Sequence, residues 1–483
     1  MMKSLISTGF LSQVKVNSIN PTWFLLAGII TMALSHMSFS VGIVGWVSMV
    51  PFLIYLSITR GWKSRLLFLL ALVIAWSVIV LKIISSPIPY MLIFLYSIPI
   101  SLIHLPGYLI WARFKDRRFS VLFFPAMMIL LEWIQYTFTP LGSWGVAAYT
   151  QTGNTNVLQF LSLFGLAGLS FMIYWVNISI ANLIVNRKRS FLAFTLPIAM
   201  LIFLVLFGTL RYEISKSKGV DTITVAAIGT DSEVSGLPLP QREMNEKDIK
   251  HIFTRTKLAS DFGAKLIVWN EGAFFLEPTY EKAYIETFQN LAKESGITLV
   301  ASYILVVSES PFLYENKYLL INSNGDIIKT YLKHQPVPGE PAVKGTDPLE
   351  VFNINGINLG GAICYDYDFP YLAKEYANIN ADIVALPSSD WRGIDPLHTR
   401  MAAYRAIEQG HSILRSTRFG LSAAINPYGE MLSQMSSYDN NNKIMISQLP
   451  RKGVRTIYSI IGDVLVYLCI AFIPFFFVVR KHD

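Results

Sequence analysis

Charge is what this chain has least of. Only 15% of its 483 residues are Asp, Glu, Lys or Arg, while 53% are hydrophobic, a balance too apolar for a water-soluble enzyme of this length. Cysteine is nearly absent too: Cys364 and Cys469 are the whole supply, which excludes a disulfide-stapled scaffold. The seven histidines show no paired spacing with Cys or Asp, and no glycine-rich phosphate loop of Walker type occurs. Neither a metal nor any other cofactor is implied.

What the chain has instead is apolar runs of about 20 residues, the length that crosses a hydrocarbon core roughly 30 Å thick with every backbone group bonded inside its own helix. Eight can be read: Thr22 to Met37, Val41 to Thr59, Leu66 to Ser85, Tyr90 to Ala112, Val121 to Thr137, Val157 to Val185, Phe191 to Leu210 and Ile457 to Val479. Between the first two, MSFSVGIVGW reads either as a tight turn or as the middle of one broken helix. No cleavable signal pattern precedes them, so the first run is expected to stay as an anchor.

The basic residues alternate with the spans. With the N-terminus inside, Lys3 and Lys15, then Arg60, Lys63 and Arg65, then Arg113, Lys115, Arg117 and Arg118, then Arg187, Lys188 and Arg189, and finally Arg480 and Lys481 fall in cytoplasmic segments, and the short outer loops hold only Lys82. The segment from about 211 to 458 is therefore expected outside. The net charge of +8 belongs to the spans: from Val220 to Pro450, 19 Lys and Arg face 27 Asp and Glu, a net of −8. Nucleic-acid binding loses its support.

The outer segment alternates strand and helix patterns. Ile223–Gly229, Ala264–Glu271, Ile297–Val307 and Ala381–Ser389 read as buried strands, and KYLLINSNGDIIKTY as a hairpin. Arg242–Phe262, Tyr280–Ser295, Pro370–Ala377 and Pro396–Gly410 read as helices, so a mixed sheet is expected. Three reactive side chains follow strand ends: Glu271, Lys333 and Cys364. Cys469 lies in an apolar span and reads as a small hydrophobe, which leaves Cys364 an unpaired thiol. A thiol of pKa about 8.5 is mostly protonated at neutral pH; an adjacent ammonium favours the thiolate, and a carboxylate can take the proton in the transition state. Together the three suit covalent attack on a carbonyl.

These residues resemble the nitrilase or carbon-nitrogen hydrolase superfamily, whose Glu, Lys, Cys triad runs in that order in an α-β-β-α sandwich. The apolipoprotein N-acyltransferases, its membrane-bound branch, look closer still. LEWIQYTFTPLGSWGVAAYTQT, VLQFLSLFGLAGLSFMIYWVN, YLKHQPVPGEP, ICYD and RAIEQGHSILRSTRFGLSAAINPYGE are similar to that family's segments. The resemblance implies a multi-span α-helical membrane domain (1–210), an extracytoplasmic α/β nitrilase-like α-β-β-α sandwich (211–456) and a last span with a tail (457–483), in a bacterial cytoplasmic membrane. It implies that Cys364 takes a fatty acyl group from a phospholipid as a thioester and passes it to the α-amine of a diacylated apolipoprotein, among membrane lipid and with no nucleic acid. Glu271 would be the general base, Lys333 would hold thiolate and oxyanion, and Glu340, Tyr365, Asp366 and Trp391 would support them.

Four details depart from the family pattern: Trp269-Asn270-Glu271 in place of Trp-Pro-Glu, a VPGE loop one residue short, Asp366 in place of Glu, and SSDWRG (Ser388 to Gly393) without the small residue before Trp391. Glu132, inside an apolar run, is expected to bond the backbone of the loop Pro140–Tyr149. Asp463 would do likewise or cap its helix, and Trp111, Trp133 and Trp175 read as interface anchors or packing. Two rival readings are a membrane-tethered amidase or nitrilase, with water as second acceptor, and a transporter or scaffold with an inactive domain.

Overall fold

The computed structural model describes residues 18–185, 191–216, 219–230, 242–439 and 442–478. Of the basic residues that set the expected orientation, Lys3, Lys15, Arg187, Lys188, Arg189, Arg480 and Lys481 lie outside them.

Each apolar run forms helix. Five helices are long and apolar enough to cross a membrane: Trp62–Leu81, Leu92–Phe114, Ser120–Phe138, Leu161–Val185 and Phe194–Ile214. The others are shorter or broken. MSFSVGIVGW is a turn: the helix Thr22–Ser35 stops, Met37 and Phe39 take left-handed φ of 58° and 56°, and the chain restarts as Gly42–Gly45 and Val50–Ile58. The last run breaks at Gly462, between Ile457–Ile461 and Val464–Val478. Leu161–Val185 kinks at Gly165, whose φ is +61° and where a Cβ would lie 2.6 Å from the Tyr458 ring. That kink frees the amide of Leu166, which donates to Glu408 Oε1 at 2.7 Å, so a carboxylate from outside caps the restarted helix.

Polar side chains in this layer tie down backbone. Glu132 Oε1 accepts the Ala147 amide at 2.8 Å and the Tyr174 hydroxyl at 2.7 Å, as expected of a buried carboxylate facing the 140–149 loop. Gln135 donates to the carbonyls of Gly142 and Trp144. Asp463 accepts from Trp133 Nε1 at 3.0 Å and from the Tyr458 hydroxyl at 2.8 Å. Trp133 is thus a hydrogen-bond donor between two helices rather than simple packing, whereas Trp111 and Trp175 are buried in the core. Arg117 donates to Phe477 O at 3.1 Å, which puts the basic 113–118 turn and the end of the last helix at one end of the bundle.

Beyond Lys216 the chain builds two stacked mixed sheets. The strands are β1 (Thr222–Ile228), β2 (Leu266–Trp269), β3 (Phe275–Leu276), β4 (Thr298–Glu309), β5 (Phe312–Ile321), β6 (Ile327–Leu332), β7 (Phe352–Ile354), β8 (Ile357–Gly361), β9 (Ile383–Ser389), β10 (Ser412–Arg418), β11 (Leu421–Ile425), β12 (Met431–Ser436) and β13 (Ile444–Pro450). One sheet runs β13-β1-β2-β4-β5-β6, with β3 beside β4; the other runs β12-β11-β10-β9-β8-β7. β1-β2-β4 and β8-β9-β10 pair in parallel, and hairpins supply the antiparallel edges. Val225, Val268 and Val300 of the first sheet meet Ile383, Ala385 and Ile413 of the second in the central core. Helices Arg242–Asp261 and Pro278–Ser295 bury Ile252, Phe288 and Leu291 on the outer face of the first sheet. Pro370–Asn378 and Leu397–Gln409 cover the second. The result is an α-β-β-α sandwich docked on a helical membrane domain.

The docking is polar as well as apolar. Trp391 Nε1 donates to Ile83 O at 2.7 Å, Gly393 N to Ser85 Oγ at 2.9 Å, and Gln159 Nε2 to Tyr428 O at 2.9 Å. The strands after Ser389 were not among those expected. β10 (SILRSTR) is polar at five of its seven positions and is sheet because it is buried between β9 and β11, whereas β12 (MLSQMS) is half polar, mostly unburied and paired along β11.

Candidate active site

Three turns bring the reactive side chains together. After β2, the Asn270 side chain accepts the Thr230 amide at 2.8 Å and donates to Glu271 O at 2.9 Å; two bonds fix the turn that a proline's locked φ would otherwise stiffen. Lys333 directly follows β6, its amide bonded to Asn316 O of β5 at 2.9 Å. Past β8, Cys364 opens the 3₁₀ turn Cys364–Asp368 with φ of 47°, a left-handed conformation costly for a side-chain-bearing residue. Asp366 holds that turn: its carboxylate accepts the Ile363 amide at 2.9 Å, the Tyr331 hydroxyl at 2.8 Å and the Gln335 amide at 2.6 Å. The Cys364 turn is thereby stitched to the segment following Lys333, a task within reach of the shorter side chain.

Lys333 Nζ lies 2.8 Å from Glu271 Oε1 and 2.8 Å from Glu340 Oε2, with the ammonium 2% exposed. Asn316 Nδ2 bridges the same two carboxylates, at 2.7 Å and 3.0 Å. Tyr314 and the Val337 amide also donate to Glu340. Burial alone would lower the Lys333 pKa, but Glu271, Glu340 and the nearby Cys364 raise it well above the usual lysine value. Burial would raise Glu340, and Lys333 overrides it to hold that carboxyl below the ordinary range. The VPGE loop, though short, carries Glu340 onto the lysine.

Cys364 is buried, and its thiol donates to Ser389 O at 3.5 Å. Burial pushes its pKa well up, Glu271 adds to that, and Lys333 opposes it. The resting group is therefore a thiol, not the thiolate expected from an adjacent ammonium: burial, with Glu271 beside it, outweighs the lysine's charge. Ionisation must accompany attack, which requires a base at hand.

A second charged cluster borders the thiol. His398 Nδ1 is 2.6 Å from Asp390 Oδ1 and His398 Nε2 is 3.0 Å from Asp368 Oδ1; Arg415 binds Asp390 through both terminal nitrogens, at 3.1 Å and 2.8 Å. Burial lowers the imidazole pKa, yet the two aspartates carry it up to about 9. Ligand-type atoms of Cys364, Asp390 and His398 lie within 4.8 Å of one another, but both imidazole nitrogens and the Asp390 carboxylate are already engaged, a poor donor set for a metal. From the membrane side Ser143 N and Trp144 Nε1 bond Asp368, at 2.9 Å and 2.8 Å, and Tyr365 donates to Pro140 O at 2.7 Å.

Two cavities meet at Cys364. A cleft of about 720 Å³ is lined by Glu271, Lys333, Glu340, Arg392, Arg418 and Tyr438 among others. A smaller apolar cavity of about 130 Å³ runs between membrane helices, past Val80, Ile84, Leu92, Tyr96 and Ile100. Cys364, Ile88, Val337, Ser389 and Trp391 border both. Glu271, Lys333, Cys364 and Glu340 thus share the cleft. Tyr365 and Asp366 point their polar atoms elsewhere and brace the turn, and Trp391 stands at the junction. Sequence reasoning missed Asn316, Asp368, Asp390, His398 and Arg415; Asn316 stands in β5 between Glu315 and Lys317, where nothing in the sequence sets it apart.

The sequence profile described as "Carbon-nitrogen hydrolase" matches residues 224–458, and that described as "Apolipoprotein N-acyltransferase N-terminal domain" matches residues 27–179. An apolipoprotein N-acyltransferase of Borreliella burgdorferi is 23% identical over 366 residues, covering 68% of this chain and 69% of its own. One of Rickettsia prowazekii is 23% identical over 428 residues, covering 80% and 83%. Among solved structures, an amidase from Nesterenkonia sp. aligns with a TM-score of 0.42 and 20% identity over 52% of this chain and 97% of that one.

Proposed function

The chain belongs to the apolipoprotein N-acyltransferases, the membrane-bound branch of the carbon-nitrogen hydrolases, and on that premise we propose that it moves a fatty acyl group from a phospholipid, through a thioester on Cys364, to the N-terminal α-amine of a diacylated apolipoprotein. The observation that carries the reading is the apolar cavity leading from the thiol in among the membrane helices. An amidase acting on small soluble amides has no use for it; an acyl chain does.

In the first half-reaction Glu271 takes the thiol proton as Sγ attacks the ester carbonyl carbon. The Lys333 ammonium, kept charged by Glu271 and Glu340, stabilises the oxyanion. The C–O bond breaks, Glu271 returns the proton to the glycerol oxygen, and a lysophospholipid leaves. In the second, a neutral α-amine attacks the thioester carbonyl, the C–S bond breaks, and the amine's proton passes through Glu271 to sulfur.

Pure phospholipid should acylate Cys364 once, release one lysophospholipid per enzyme and stall, because no amine is present and the buried thioester is shielded from water. Intact-mass analysis reads the adduct. A diacylated lipopeptide with a free α-amine should discharge it to an N-acyl product, and an N-acetylated one should not. Steady release of free fatty acid, unaffected by lipopeptide, would hand the chain to the membrane-anchored hydrolases instead. The orientation that fits this substrate puts the sandwich on the outer face of the cytoplasmic membrane. A reporter fused after Lys218 should then be extracytoplasmic and one after Arg189 cytoplasmic.

A further inference from the structure

A third cavity, of about 380 Å³, shares no residue with the two at Cys364 and lies in the seam between the sandwich and the last span. Asn378, Asn380, Asp382, Gln409, Arg455 and Ile460 are among the residues that line it. It stands at the membrane surface. Ile457 and Ile460 are exposed apolar residues at the start of the last span. The Trp133–Asp463 bond sets them level with the final turn of Ser120–Phe138, at the end of the bundle opposite Arg117 and Phe477. The charges around the cavity are of both signs, and most are spent. Lys452 Nζ and the Gly453 amide hold the Asp382 carboxylate at 2.9 Å and 3.1 Å, Arg451 pairs with Asp221 at 3.4 Å, and Lys374 donates to Ser459 O at 3.4 Å. Arg455 is exposed, and among the described residues its guanidinium bonds only the Asn380 side chain, at 3.0 Å. Gln409 is 4% exposed, and among the described residues neither atom of its amide has a hydrogen-bond partner. A buried amide left so costs free energy, and a ligand in the cavity would supply what it lacks.

We propose that this cavity is a second lipid site, separate from catalysis, which holds the zwitterionic headgroup of an amino-phospholipid: phosphate on Arg455, ammonium toward the far wall. That wall is where the helices Pro370–Asn378 and Leu397–Gln409 end. Helix C-termini carry partial negative charge and favour a cation, and a guanidinium meets phosphate oxygens with paired N–H donors. The Gln409 amide has a donor for the phosphate and an acceptor for the ammonium. The acyl chains run from the headgroup along Ile457 and Ile460 into the bilayer. The volume falls within the roughly 300–1,000 Å³ usual for small-ligand sites. Free phosphate has no chain to cover the two isoleucines, and an anionic headgroup brings no cation to the helix ends.

The test uses the full chain in neutral detergent, with Cys364→Ala so that no lipid is consumed, and a phosphatidylethanolamine whose acyl chain carries a diazirine next to the glycerol ester. After illumination, mass spectrometry of the peptides should find label on residues 455–461. Unlabelled phosphatidylethanolamine should compete for that label at least tenfold better than phosphatidylglycerol of the same chains or inorganic phosphate. R455Q, at an exposed position where folding is not at risk, should lower the label at least fivefold. Q409L should lower it as well without lowering the melting temperature, since it removes no bond within the chain. With Cys364 restored, R455Q should be acylated by a p-nitrophenyl acyl ester at the ordinary rate. Absence of label at 455–461, label there untouched by R455Q or Q409L, or phosphatidylglycerol or phosphate competing equally well would overturn the site. Loss of ester acylation in R455Q would overturn its separation from catalysis.

Discussion

Two charged clusters flank Cys364, and they are built from different parts of the molecule. Glu271, Lys333, Glu340 and Asn316 come from strands of a single sheet and the connections after them, and their side chains bond one another. His398, Asp368, Asp390 and Arg415 come from the second sheet, its covering helix and the nucleophile's own turn, and through Asp368 they reach Ser143 and Trp144 of the membrane domain. The first cluster sets two carboxylates against one ammonium and so can accept a proton. The second balances two carboxylates with an imidazolium and a guanidinium and has no such capacity. Chemistry is assigned to the first, positioning to the second.

Removing the group both clusters serve tests the comparison hardest: Cys364→Ala should abolish the acyl-enzyme, as intact mass after incubation with phospholipid would show. Within the first cluster, Glu271→Gln should slow acylation by about 10²–10⁴-fold, the usual contribution of a general base. Lys333→Ala should cost about 3 to 4 kcal/mol of transition-state stabilisation and also lower the melting temperature, because it leaves two buried carboxylates unpaired. Asn316→Ala, which removes a donor to both, should slow acylation by roughly tenfold, about 1.4 kcal/mol.

The second cluster should register in stability before rate. The His398 pKa is raised from 6.5 to about 9 in the folded protein, so its contribution is fully present below about pH 6.5 and is lost as pH rises through 9, an effect on the order of 3 kcal/mol. The melting temperature should fall over that window, and His398→Gln should flatten the fall; a His398→Gln curve as steep as the wild type would remove the imidazolium from the account. Smallest of all is Cys469→Ser, outside both clusters, which should leave acylation by phospholipid at its ordinary rate.

The sequence exposed what is periodic or local. Long apolar runs marked the helices, short ones marked the buried strands β1, β2, β4 and β9, and Glu271, Lys333 and Cys364 stood just after strand ends. Glu132, an ionisable group in an apolar run, pointed correctly at the loop it bonds. The remainder depends on distance in the chain. Nothing near His398 announces that Asp368, 30 residues earlier, and Arg415, 17 later, will close around it. Nor does ENKYLLI disclose that Asn316 bridges residues 45 before and 24 after it. The resting thiol is of this kind as well: the burial of Cys364 and its closeness to Glu271, which together outweigh Lys333, arise only once the chain has folded.

The bond from Tyr365 to Pro140 O, with those from Ser143 and Trp144 to Asp368, makes the nucleophile's turn common property of two folding units. A fragment beginning at Thr222 would retain both sheets, all four covering helices and every member of the Glu271–Lys333 cluster. It would lack three of the fasteners that hold a cysteine at φ 47°. Gene fusion or truncation that moved the sandwich alone would transplant the reagents without their jig, and a successful graft would have to bring residues 140–149 with it.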